Sequence, residues 1–382
     1  NIFFHINMIK FEGKLAHISD IHVRFGSRHE EYKIVFNRLV KDLTKEKPRR
    51  IILTGDLFHL KINLSPAAIE LAAQLISDLA KIAPVDILLG NHDLNEQDLT
   101  QGNAIKPLID IMENGFVITQ DAPHLPMPKS GNHGIYFYHD SGFYNIEKDL
   151  IYGVYSLWDN QLLTLSDKED DKKYVALYHG PIYGCMSDNG RQMKGDELVK
   201  LSVFNNFDMV MLGDIHEYQT FERQGKDDVA YSGSLIQQDF GESINKGYLI
   251  WDIDSCTHER RHILNDFGFC KLNISKGEDI WDRIDSSIQL SFNPKKTKIY
   301  IEIEDDKENE NVELKSQVRK YVKSKYKCES VEVEFKKLVR TLTMAASADD
   351  LDVSDQLSWR PLLEGYLDEN SYDNKQDVLE LD

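Results

Sequence analysis

Cysteine is scarce in this chain: 382 residues hold four, Cys185, Cys256, Cys270 and Cys328, with no C-x-x-C spacing among them. A disulfide framework and a cysteine zinc knuckle are both excluded, and a reducing, intracellular compartment fits, which for a viral protein is the host cell. Long apolar runs are missing too; none approaches the about 18 residues that a membrane-spanning helix needs. The opening segment Asn1-Ile-Phe-Phe-His-Ile-Asn7 is too short for a signal peptide and lacks its basic region, and Met8 is a candidate start. No Gly-rich G-x-x-x-x-G-K loop and no Ser/His/Asp nucleophile motif occurs, so any ATP-binding machinery sits elsewhere. No internal repeat is visible. Basic residues are outnumbered, 45 Lys and Arg against 64 Asp and Glu, for a net charge of -19. Taken whole, that charge argues against a nucleic-acid surface.

What the chain does hold is five polar clusters, each placed directly after an apolar run. They are Asp20-Ile-His22, Gly55-Asp56, Gly90-Asn91-His92-Asp93, His179-Gly180 and Gly213-Asp214-Ile215-His216. The runs before them, Leu15 to Ser19, Ile51 to Thr54, Val85 to Leu89, Tyr174 to Tyr178 and Met209 to Leu212, have the length and apolar character of buried strands. Strands ending in this way deliver their polar residues to one rim of a sheet. A lone Asp or His after a strand is an ordinary cap; five clusters in this order make a metal site. Oxygen and imidazole donors without thiolate suit Mn, Mg, Fe or Zn. Seven ligands exceed the needs of one ion, whereas a pair about 3.5–4 Å apart and bridged by one carboxylate uses them all, with Asp56 as the natural bridge.

The ordered set resembles the calcineurin-like metallophosphoesterase superfamily over roughly the first two-thirds of the chain. The resemblance implies one ion on Asp20, His22, Asp56 and His216 and a second on Asp56, Asn91, His179 and Asp214. Asp214 is a departure, since the family usually reads Gly-His-x-His where this chain has Gly213-Asp214-Ile215-His216. A carboxylate there still binds a hard ion and favours Mn, with Mg second, over softer metals; the alternative is a damaged site in a silent scaffold subunit. His92 takes the position of a family histidine that contacts the scissile phosphate and supports the leaving oxygen. Asp93 either orients His92 or caps the next turn.

Two stretches narrow the resemblance. Gly55-Asp56-Leu57-Phe58-His59, and Tyr231-Ser-Gly-Ser234 running on to Phe240-Gly-Glu242 and Lys246-Gly-Tyr248, look like the SbcD-type nuclease subunit of double-strand-break repair complexes, including the phage recombination endonuclease subunit. That implies a catalytic influence for His59, which is otherwise a surface-loop histidine. It also implies DNA as substrate and a coiled-coil ATPase of the SbcC kind as partner, with a homodimer as a further option.

The fold expected is α/β, an α+β sandwich: a four-layer metallophosphoesterase core over 8–262, a small α+β cap over 268–340 and an acidic linker with a helical tail over 341–382. Up to about residue 260 strands alternate with helices, among them His29 to Lys47 and Ser65 to Ile82, the latter with Ser65 as N-cap and Pro66 at its first position. Beyond 268, Thr297 to Glu304 and Ser330 to Phe335 alternate like half-buried strands and Val312 to Tyr326 has helical spacing. Asp305 to Asn311 is a solvated loop.

Charge is unevenly spread. Residues 341–382 carry eleven acids and only Arg360 and Lys375, a net -9, whereas the segment from Lys315 to Arg340 carries +6. Lys315, Arg319, Lys320, Lys323 and Lys327 are either a solvated helix face or a phosphate-contact surface. In the tail, Leu357, Leu362, Leu363, Tyr366 and Leu367 cluster with Trp359 at helical spacing, with Pro361 in the first turn, suiting a partner's groove or a helix packed on its own domain. The function expected is a metal-dependent DNA exonuclease or endonuclease. The alternatives are a phosphoesterase for small-molecule or protein substrates, or the silent scaffold.

Overall fold

The computed structural model describes residues 10–337 apart from 25, 27, 61–63, 130, 189, 224, 292–295, 306–311 and 327. One unit ends at Lys337 and a second covers Leu338–Asp382. The second unit, with Leu357, Leu362, Leu363, Tyr366 and Leu367, lies outside the described residues, as do Met8, most of the acidic loop after Asp305, and Lys327.

The apolar runs form strands and the amphipathic segments form helices, in the order β1 (Lys14–Ile18), α1 (His29–Glu46), β2 (Arg50–Thr54), α2 (Pro66–Ala80), β3 (Val85–Leu88), α3 (Ile105–Ile111) and β4 (Gly115–Ile118). Nine strands follow without an α-helix: β5 (Ile135–Tyr138), β6 (Gly142–Glu147), β7 (Leu150–Tyr155), β8 (Lys173–His179), β9 (Met209–Gly213), β10 (Gln219–Arg223), β11 (Lys226–Tyr231), β12 (Gly247–Asp252) and β13 (Thr257–His262). The expected alternation of strand and helix therefore stops at residue 111. The connections after β7 and β8 run through Asp167-Lys-Glu-Asp-Asp171 and through Gly180-Pro181, Gly184, Gly190 and Gly195, which favour turns over helix.

Two sheets result, ordered β13-β12-β1-β2-β3-β5-β4 and β10-β11-β9-β8-β7-β6. Apart from β12, which runs antiparallel to β1, their inner strands are parallel and buried on both faces, which explains the unbroken apolar runs. Leu15, Ile52, Leu88, Val175, Leu177, Met209, Met211 and Trp251 fill the space between the sheets, while Ala16, Ile18, Ile51, Leu53 and Ile87 face α1 to α3. The outer face of the second sheet is covered by loops and a 3-10 turn at Leu201–Phe204, with Phe204 and Phe207 packed on Tyr155. This is a mixed α/β sandwich with helix, sheet, sheet and loop layers. Ser65 caps α2 as expected, its hydroxyl oxygen accepting from Ala68 N at 3.2 Å.

A third, all-parallel sheet is built from β14 (Phe267–Ile274), β15 (Lys296–Asp305) and β16 (Ser330–Lys337), with α4 (Ile280–Ser291) and α5 (Val312–Tyr326) as crossovers. The alternation in β15 sets its two faces. Ile299, Ile301 and Ile303 join Ile284, Val318 and Val322 in a separate core against the helices. The opposite face carries Phe269 and Tyr300, which meet Phe240 of the larger part at ring distances of 4.9 and 5.7 Å. Among the described residues no helix is long and apolar enough to cross a membrane.

Candidate metal centre

The five polar clusters converge where β1, β2, β3, β8 and β9 end. Asp20, His22, Asp56 and His179 are each at most 1% exposed. The chain must turn sharply to aim them inward, and Asp20, His22, Asp56 and Asp214 adopt positive φ of 52°, 50°, 54° and 95°. Left-handed backbone at a non-glycine residue costs about 1 kcal/mol or more and persists where the surroundings over-determine it. Close approach decides the glycines: a Cβ on Gly90 would overlap the Asp56 carboxylate, and one on Gly55 would overlap the His179 ring.

Asp56 sits in the middle. Its Oδ2 lies 3.4 Å from His22 Nε2 and its Oδ1 3.4 Å from His179 Nε2. On the first side, His22 Nε2 is 2.9 Å from His216 Nε2 and 3.9 Å from Asp20 Oδ1. On the second, Asp214 Oδ1 lies 3.9 Å from His179 Nε2 and 3.4 Å from Asn91 Nδ2. The structure thus brings all seven expected ligands into two groups that share Asp56.

The donor atoms fit cations. His179 donates from Nδ1 to Thr54 O at 2.7 Å, so its Nε2 is the atom that faces Asp56 and Asp214, and it has no hydrogen-bond partner. Asn91 Oδ1 is likewise buried and unpartnered. Two imidazole nitrogens at 2.9 Å, as in His22 and His216, are compatible only with a proton or a cation between them. The electrostatics agree: burial lowers the affinity of His179 for a proton, but Asp56, Asp20 and Asp214 outweigh it and hold its pKa well above the usual histidine range. Burial pushes Asp20 up to about 6. Burial lowers His22 and His59, whereas the carboxylates raise His179 and His216, and a nest of buried acids that pulls protons onto two of its imidazoles is short of positive charge. Residues that could hold divalent ions are therefore Asp20, His22, Asp56 and His216 on one side and Asp56, Asn91, His179 and Asp214 on the other.

His92 is fixed from two directions. Its backbone N–H donates to Asp56 Oδ1 at 2.8 Å, and its Nδ1 donates to the His59 carbonyl at 2.7 Å, leaving Nε2 free. The His59 ring stacks on it at 5.4 Å and 15°, and the edge of His22 is 4.8 Å away. His59 is thus beside the site rather than on a remote loop.

Asp93 belongs to the turn. Its buried carboxylate accepts from the N–H groups of Gly90 and Phe58 at 3.0 Å each and of Leu57 at 3.3 Å, and it makes no contact with the His92 ring. Of the two readings of Asp93, orienting His92 or capping the turn, these contacts are those of the turn, because three converging N–H groups occupy its oxygens and the His59 carbonyl accepts from the ring.

For the basic residues of α5, expected as either a solvated helix face or a phosphate-contact surface, the packing of the helix gives the placement. Val318 and Val322 bury α5 on the Ile299 side of the small sheet, so the helix lies across that sheet from Phe240 and the metal centre. Lys315 rests on the Phe335 ring at 5.6 Å, and Arg319, Lys320 and Lys323 share the same remote helix. Cations on the near side are Lys298, 5.8 Å over Phe269, and Lys271, 5.6 Å over Tyr300.

Sequence reading assigned no role to Glu242 or Asp188, which both reach His216. Glu242 Oε1 is 2.7 Å and Asp188 Oδ2 3.3 Å from its Nδ1. The pairing of Glu242 with Lys246 four residues on, in a stretch otherwise short of charge, was the available signal.

Comparison with known proteins follows the same outline. The model of the calcineurin-like phosphoesterases matches residues 13–218. An uncharacterized protein of Acanthamoeba polyphaga mimivirus is 36% identical over 291 residues, 73% of this chain and 20% of that protein. A protein of Invertebrate iridescent virus 6, whose assigned name proposes a phosphoesterase, is 27% identical over 52% of this chain and 62% of its own length. The SbcD component of the nuclease SbcCD from Staphylococcus saprophyticus is 27% identical over 63% of this chain and 65% of its own length. The chain therefore spans a fifth of the first relative and less than two thirds of the other two.

Proposed function

This chain belongs to the calcineurin-like phosphoesterase family, and we propose that within it the protein is a metal-dependent DNA nuclease subunit that hydrolyses phosphodiesters, with manganese, or magnesium in its place, as the ion pair. The observation that carries the hydrolytic part is Asp56, whose two oxygens face separate imidazoles at 3.4 Å each. When bound, two such ions supply Lewis acidity toward a phosphoryl oxygen and a water of lowered pKa.

The chain's own residues hold and orient. His92, with its Nδ1 proton committed to the His59 carbonyl, keeps Nε2 to carry a proton to the leaving oxygen. His59 braces that ring by stacking, and Asp93 locks the two loops that present Asp56 and His92. DNA as substrate is supported by the similarity to a nuclease subunit and by the rings of Phe240, Phe269 and Tyr300 with the ammonium groups of Lys271 and Lys298. Stacking surfaces interleaved with cations suit single-stranded nucleic acid. In this reading 8–262 is the catalytic part, 268–340 contacts substrate, and 341–382 docks a coiled-coil ATPase of the SbcC kind. Loss of co-purification with that ATPase on deleting 341–382 is the expected result; wild-type recovery would move docking elsewhere.

The central experiment incubates the purified chain and Mn with labelled duplex and single-stranded DNA, beside p-nitrophenyl phosphate mono- and diesters. Cleavage of DNA is expected. Hydrolysis of the monoester alone would make the protein a small-molecule or protein phosphatase, and inertness with every divalent metal would make it a scaffold.

A further inference from the structure

The outermost part of the metal centre is a buried ion-pair assembly that sequence reading left without a role. Glu242, 2% exposed at its side chain, places Oε1 2.7 Å from His216 Nδ1. Its other oxygen accepts from Lys246 Nζ and from Gln238 N, at 2.9 Å each, and from Ser234 Oγ at 3.3 Å. Lys246 Nζ also donates to the His216 carbonyl at 2.8 Å, so one ammonium ties the carboxylate to the backbone of the histidine it serves. The two contacts to His216 join residues 26 and 30 positions apart in sequence, since Glu242 and Lys246 lie after β11 and His216 before β10.

We infer that Glu242 is a positioning residue for His216, fixing its ring so that Nδ1 carries the hydrogen and Nε2 presents its unshared pair to the first ion. This rests on the metal-centre reading above and deepens it. A carboxylate can only accept, so a 2.7 Å contact to Nδ1 selects the tautomer with hydrogen on that nitrogen. Nε2 is then directed at His22 Nε2, 2.9 Å away, where a cation belongs. Asp188 touches the same Nδ1 at 3.3 Å, but it sits on the long β8–β9 connection with a side chain 37% exposed, while Glu242 is held by three further donors. Glu242 is the firmer anchor for that reason.

The test measures ions without substrate. Mn binding to wild type and to Glu242→Gln is followed by calorimetry and elemental analysis, with the thermal midpoint of each metal-free protein recorded alongside. Carboxylates that orient a ligating histidine typically contribute about 10–100-fold in metal affinity. One of the two ions should bind Glu242→Gln about tenfold or more weakly while the other keeps its affinity, the metal-free midpoints should agree, and excess Mn should restore turnover. Because removing the charge leaves Lys246 buried, the double variant Glu242→Gln/Lys246→Met guards against misfolding and should show the same selective loss. Unchanged affinity for both ions in a folded variant would overturn the assignment. So would a lowered metal-free midpoint with wild-type affinity, which marks a purely structural residue. A wild type that binds no ion would instead overturn the metal-centre reading on which the assignment rests.

Discussion

The metal cradle and the small three-stranded sheet both gather charge, and they hold it in opposite ways. In the cradle Asp20, Asp56, Asp93 and His179 are essentially solvent-free; Asp93 and one side of His179 are tied to backbone groups, while His179 Nε2 and Asn91 Oδ1 have no hydrogen-bond partner. In the small sheet the charges lie outside. Lys325 pairs with Asp285 at 2.5 Å with both side chains about a third exposed, and Lys271, Lys298 and Lys315 rest on aromatic rings. Burying charge without partners is costly, so a nest of buried acids and unpartnered imidazoles exists for an occupant. Surface charge costs little and marks no site by its density alone. Exposure, not the count of like charges, separates the two regions.

The sharpest way to break this comparison is at Asp56. Asp56→Asn should lose both ions and all detectable hydrolysis while circular dichroism stays that of wild type, because one carboxylate serves both groups of ligands. Full activity would remove the two-ion arrangement. Next in size is Asp214. Asp214→Ala should lose one ion, whereas Asp214→His should stay active and shift preference toward softer metals, read by titrating Mn, Mg, Co and Zn over the three proteins.

Asp93 tests the cradle's scaffolding. Asp93→Ala strands three buried N–H groups, each worth about 1–3 kcal/mol when left without a partner, so urea denaturation should show a clear loss of stability. Retained stability with lost activity would return Asp93 to a catalytic role. The smallest effects belong to the small sheet. Lys271→Ala with Lys298→Ala should weaken single-stranded DNA binding a few-fold and flatten its salt dependence. Reversing Arg319, Lys320 and Lys323 to Glu on the far helix should change neither; an equal or larger loss there would show that charge density had been the better guide.

Much was legible before folding. The five strands, helices α1, α2 and α5, strands β15 and β16, and the polar clusters at the strand ends all follow from short-range signals: an apolar run of strand length, a 3.6 or 2.0 period, a Ser-Pro helix start, a polar cluster at a strand end; the seven candidate ligands were assigned to two ions by the family resemblance. Among the described residues between 118 and 262 no α-helix forms, against the expected alternation of strand and helix up to about residue 260. Long glycine-rich and acidic loops take the place of helices there.

The amino-acid order by itself determined which polar residues gather at one rim, because each cluster is carried by its own strand and a parallel sheet delivers strand ends to one rim. Tertiary structure decided what no local pattern encodes: that Asp93 faces backbone rather than His92, that Glu242 anchors a histidine 26 residues earlier, and that the basic side of α5 looks away from the cradle. The physical reason is common to all three. A side chain's role is set by the partner that packs against it, and those partners come from elements whose approach depends on burying apolar faces elsewhere in the molecule.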